Sequence, residues 1–174
     1  MADERAIGAG AELGHTVIDL NGPPCQGNCP NHGCIESLAS GTALAREALR
    51  IAREQPGSGL GRALAAGRDL EGPLVTELAH DGDAAAIEAI ELIGTRLGVA
   101  IASFVNIFNP EVVVIGGGVM GAGELLLSAA RAEMLARALP PSRDIVEIVP
   151  AAFGVEAGMI GAAALAFDGL GQRA

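Results

Sequence analysis

The chain has 174 residues, half of them hydrophobic and only 2% aromatic, with a formal net charge of -10 and a pI near 4.6. Its length suits one ordinary domain with a sizeable core. The acidic residues are scattered, and their excess argues against a partner held by its phosphate backbone, so no nucleic acid is expected. All eleven basic residues are arginine, so no lysine is present to contact a phosphate or form a Schiff base.

No apolar segment follows Met1, so a secretory signal is not expected and a cytoplasmic, soluble protein is. The first landmark is AELGH, residues 11–15, where Glu12 stands three residues before His15. The next is CQGNCPNHGC, residues 25–34, which holds all three cysteines. Three thiols cannot all pair as disulfides, and a cytosolic chain keeps them reduced. The C-x3-C-x4-C spacing, with prolines and glycines between, suits a loop folded around one ion. Zinc takes four N/S ligands in a tetrahedron, so Cys25, Cys29 and Cys34 need a fourth. His32 lies inside the loop, where a short tether can point it outward. His15 lies ten residues before Cys25, far enough to fold back, and is the favoured ligand. Such a closed site is structural and pins the loop; incidental loop cysteines are the bland alternative. Glu12 and Glu36 flank it, and carboxylates so placed suit bidentate hydrogen bonding to the neighbouring hydroxyls of a polyol. The plain alternatives are a solvated loop residue at Glu12 and a first-turn helix residue at Glu36.

Residues 34–54 read as helix, with Ile35, Leu38, Leu44, Leu49 and Ile51 as apolar anchors and an interruption at Ser40-Gly41. QPGSGLG, residues 55–61, breaks it, and the first half of the chain is otherwise expected to be irregular. Asp83 is the expected N-cap of a long helix. Along it Ile87, Ile90, Leu97, Ile101, Phe104, Val105 and Phe108 keep a 3.6-residue period, predicting a mostly buried helix that ends before Pro110. The longest uncharged stretch, residues 97–110, has 14 residues and is too short to span a bilayer, so no membrane partner is expected.

VVVI, residues 112–115, reads as a strand buried on both faces. A glycine loop follows, then a helix over 123–139 stopped by Pro140-Pro141, a second strand over 144–149, and a small-residue helix over 156–167. That order predicts an α/β layer with parallel strands. Gly116, Gly118 and Gly121 match G-x-G-x-x-G, but a dinucleotide fold needs an acidic residue at the tip of the next strand. That strand ends EIVP, so a dinucleotide site is not expected, and no G-K-[ST] marks a P-loop. Two readings remain: a tight turn that needs glycine for its backbone angles, or a close approach of backbone to a nucleotide, as in actin-like ATPases.

In order, AELGH, the cysteine loop ending GCIES, FNPEVVVIGGGV and FGVEAGMIGAAALA resemble the ROK family of bacterial sugar kinases and related repressors, the glucokinase branch above all. The resemblance covers nearly the whole chain. It implies the α/β, C-terminal lobe of an actin-like (ribonuclease H-like) two-lobed kinase, with an irregular zinc-binding loop near the N-terminus. Residues 1–36 would form the sugar-binding and zinc-loop segment and 37–174 the nucleotide-side lobe, as one structural unit. It also implies that Glu12, His15 and Glu36 bind sugar hydroxyls, that His15, Cys25, Cys29 and Cys34 hold zinc, and that Gly116, Gly117 and Gly118 approach ATP with its Mg²⁺. Two extra residues separate the first two cysteines and Pro30 replaces a glycine, but the Cys29–Cys34 spacing is kept, so the metal is expected to survive.

The implied reaction is ATP-dependent phosphorylation of a hexose, glucose to glucose 6-phosphate, by what is often a homodimer. Such kinases carry in an N-terminal lobe a D-x-G-G-T phosphate loop and an N-D pair whose aspartate deprotonates the sugar hydroxyl. Neither pattern occurs in this sequence, so that lobe and the catalytic base are expected outside the chain. The alternative is a non-catalytic sugar-binding module or truncated paralogue. A sugar-responsive repressor would need a helix-turn-helix, which no basic segment here offers.

Overall fold

The computed structural model describes residues 10–171. Helices α1 (Ile35–Ala39) and α2 (Gly41–Glu54) meet at the expected interruption, where Ser40 ends one and caps the other, its Oγ accepting from Ala43 N–H at 3.2 Å. Residues 55–83, expected to be irregular, instead carry α3 (Gly59–Ala65) and α4 (Gly72–His80). Ser58 Oγ caps α3 by accepting from Gly61 N–H at 2.9 Å, and Pro73 sits in the first turn of α4, where its missing N–H costs nothing. The glycines and prolines here mark helix starts.

Asp83 caps the central helix α5 (Ala84–Phe108) as its sequence predicts, accepting from Ala86 N–H at 3.0 Å. The same carboxylate also accepts from Gly59 N–H and, at 3.4 Å, from Leu60 N–H, so it closes the start of α3 as well. Ile90, Ile93, Ile101 and Val105 are fully buried, Leu97 and Phe104 are half-buried, and Phe108 is exposed, against expectation. The α5 helix ends on Asn109 in the left-handed region, φ 47°, with its N–H on Val105 O at 3.0 Å.

By length and composition α5 could cross a bilayer, which the count of uncharged residues had understated. Here it is the central helix of the core. Its Glu88 accepts from Gln55 and its Arg96 pairs with Glu47. Against α5 lies α6 (Glu124–Arg137), so close that a Cβ on Gly94 would stand 2.5 Å from Leu126 O and one on Gly98 2.5 Å from Ala130 O.

Strand β1 (Val112–Ile115) pairs in parallel with β2 (Glu147–Pro150), with α6 and α7 (Ser142–Ile145) between them in the chain. The second strand starts later than predicted because residues 142–145 coil into α7. Strand β1 is not buried on both faces: Val113 and Ile115 pack half-buried toward α5 and α6, while Val112 and Val114 are 49% and 60% exposed. Arg131 of α6 holds β2 from the side, donating from Nε and Nη2 to Ile148 O at 3.2 and 2.9 Å. The last helix, α8 (Ala157–Gly171), presents Met159, Leu165 and Phe167 to solvent.

Candidate functional site

The AELGH segment is laced to the cysteine loop by backbone. Thr16 O accepts from Ile35 N–H at 3.0 Å, Gly33 O from Ile18 N–H at 2.9 Å, and Pro23 O from Gly33 N–H at 2.8 Å. Antiparallel bridges join Val17 to Cys34 and Pro24 to His32. The crossing needs glycine at position 33: φ is +64°, and a Cβ there would collide with Asp19 O. These bonds fold His15 back over the loop.

The result is a cluster of His15, Cys25, Cys29 and Cys34 whose ligand atoms all lie within 4.8 Å of one another. A zinc tetrahedron with metal–sulfur bonds near 2.3 Å has S–S edges of about 3.8 Å and S–N edges of about 3.5 Å. The Cys29 and Cys34 sulfurs are 3.9 Å apart, and Cys25 Sγ is 3.4 Å from His15 Nδ1. The donor set therefore fits a zinc ion. His32 is exposed and outside the cluster. Burial, with Cys25 and Cys29 beside it, pushes the Cys34 thiol up to about 12, whereas the backbone N–H of Asn31 leads the contacts that lower Cys29. Crowded thiols cannot all ionise together; a divalent ion supplies the charge that lets them.

The two candidate sugar ligands bracket the turn that carries His15. Glu12 Oε2 stands 3.9 Å from His15 Nε2, the ring nitrogen opposite the one facing Cys25. Glu36 lies in the first turn of α1, exposed, its carboxylate beside Gly14. Beneath it α1 is fastened on two sides. Ser37 Oγ donates to Cys34 O at 2.8 Å, and Arg96 Nη1 of α5 reaches Leu38 O at 3.4 Å and Glu47 Oε1 at 3.0 Å. Burial alone would raise the Glu47 carboxyl, but hydrogen bonds from Arg50 and Arg96 outweigh it and hold the group below its ordinary range.

Glu36 also lines a cavity of 630 Å³ between the α1–α2 junction, the start of α4 and the glycine loop. Gly116, Gly117 and Gly118 line it as well, with Gly117 at φ +94°. Their N–H groups donate to no other described residue, leaving consecutive free donors of the kind that hold anionic oxygen. Glu71 and Thr42 line the same cavity and escaped the sequence reading. Neither sits in a motif, and only the fold brings α4 to the loop.

The ROK family pattern matches residues 5–168. The chain is 36% identical over 165 residues to the glucokinase of Thermotoga maritima, covering 94% of this chain and 51% of that protein. It is 41% identical over 159 residues to the glucokinase of Halalkalibacterium halodurans, covering 88% and 46%. The chain thus spans about half the length of these curated relatives. The xylose repressor of Bacillus spizizenii matches at 27% over 161 residues, covering 92% of this chain and 38% of that protein. Among solved structures, the ROK family glucokinase from Streptomyces griseus, in complex with glucose and AMPPNP, aligns with a TM-score of 0.80 at 31% identity, covering 90% of this chain and 51% of that one. These matches agree with an actin-like kinase fold. With the cysteine cluster, the paired carboxylates and the glycine loop in the order the resemblance requires, the chain belongs to the ROK family.

Proposed function

We propose that the chain is the sugar- and nucleotide-binding half of an ATP-dependent glucokinase-type kinase. The observation that carries the reading is that Glu36 and the free N–H groups of Gly116, Gly117 and Gly118 line one cavity. A hydroxyl acceptor and a phosphate cradle in one cavity would bring the two ends of a phosphoryl transfer together. Glu12, His15 and Glu36 would orient a hexose, glucose first, through its hydroxyls. A zinc ion on His15, Cys25, Cys29 and Cys34 would act as a cross-link. With Nδ1 turned to the cluster, His15 keeps Nε2 for the Glu12 side and a sugar hydroxyl. The base that takes the proton from the 6-hydroxyl is assigned to no residue of this chain.

The test is calorimetric titration of glucose and of ATP into the zinc-loaded chain, followed by an assay for glucose 6-phosphate. Binding of both without turnover is expected. Turnover by this chain alone would show that it holds the base and overturn that part of the reading. A second reading, a non-catalytic sugar-binding module, draws on the 27% identity to the xylose repressor. Glucose binding with no nucleotide binding would favour it.

A further inference from the structure

The cavity that joins Glu36 to the glycine loop carries a second carboxylate, and it is uncommitted. Glu71 occupies the cap position of α4 without capping it, and its side chain forms no hydrogen bond or ion pair among the described residues. Besides the two carboxylates, the polar side chains lining the cavity are Ser40, whose Oγ accepts from Ala43 N–H, and Thr42.

Resting on the nucleotide reading above, we propose that Glu71 is the residue that selects a ribonucleotide, by accepting both hydroxyls of the ribose 2′,3′-diol. The free N–H groups of Gly116, Gly117 and Gly118 attract the phosphates, and a carboxylate would repel them. Glu71 must therefore face an uncharged part of the nucleotide that offers donors. The adenine edge presents its amino group beside an acceptor ring nitrogen, which a carboxylate does not satisfy. A vicinal diol offers two O–H donors, which match the two oxygens of one carboxylate. Apolar Ala39, Leu44, Pro73 and Val119, which line the same cavity, leave the flat base an apolar resting place.

In doubly wound folds an acidic residue at the tip of the next strand holds the ribose. Here β2 ends without one, and the carboxylate comes instead from the start of α4, in the cavity that the glycine loop lines.

The experiment is calorimetric titration of ATP and of 2′-deoxy-ATP into the zinc-loaded chain, its Glu71→Ala variant and its Glu71→Asp variant. The parent is expected to hold ATP about tenfold tighter than the deoxynucleotide, the size of one charge-assisted hydrogen bond. Glu71→Ala should shrink that ratio to about twofold or less while leaving 2′-deoxy-ATP nearly untouched, and Glu71→Asp should restore part of it. A residue that merely supported α4 would weaken both nucleotides alike. Equal affinities in the parent, a comparison that needs no variant, or an unchanged ratio in Glu71→Ala would overturn the ribose assignment and leave the glycine-loop reading standing. Binding of neither nucleotide by the parent would overturn both.

Discussion

His15 is the residue on which the loop turns, because its two ring nitrogens face different chemistry: Nδ1 the thiols, Nε2 the Glu12 carboxylate. Replacing Cys29 by Ser should drop the zinc content, measured by elemental analysis, from about one ion per chain to none. His15→Ala should do the same, while His32→Ala, at an exposed position outside the cluster, should keep the metal. Retention in His15→Ala with loss in His32→Ala would reverse the assignment. The gathering of His15 with the three thiols was legible beforehand, because the cysteines cluster in the sequence and the tether to His15 could be counted. Glu71 was not. A single glutamate at a helix start carries no signal until the fold sets it in one cavity with the glycine loop.

Among the elements, α5 and α6 depend on the missing side chains of Gly94 and Gly98, where a Cβ would press on backbone carbonyls of the facing helix. Alanine is the better helix former by about 1 kcal/mol, yet overpacking costs about 1–3 kcal/mol, so Gly94→Ala should lower stability by up to about 2 kcal/mol in urea unfolding. A gain would mean that the helices part easily. The long apolar period of α5 announced this helix clearly, but it could not announce that two glycines set the distance to its neighbour. The stretch holding α3 and α4 misled for a different reason: Gly59 and Pro73 break helices in the interior and begin them at the first turn. The strand run 112–115 was read as doubly buried from its β-branched content alone, which reports a strand and says nothing of what covers each face.

At the scale of the whole molecule, Glu47 joins α2 to α5 through Arg96 and gathers Arg46 and Arg50 around it. Its folded-state pKa is lowered, so the native chain binds fewer protons than the unfolded one in the acid range and stability rises with pH there. That contribution is complete above the ordinary carboxylate pKa and is lost as pH falls through the lowered native value. Arg96→Met should cost about 1–3 kcal/mol near neutrality and flatten the acid limb of the stability profile; a parallel shift at all pH values would argue against the linkage. The exposed apolar surface of Ile107, Phe108, Val112 and Val114, with Met159, Leu165 and Phe167 of α8, should bind a hydrophobic dye in the folded state. Leu165→Arg should reduce that binding, and an unchanged signal would place the dye elsewhere. Finally, one carboxylate closes the starts of two helices: Asp83 receives Ala86 N–H of α5 and Gly59 and Leu60 N–H of α3. Those amides therefore share a single opening event. In native-state hydrogen exchange they should trade their protons at one common free energy, and Asp83→Ala should release them together.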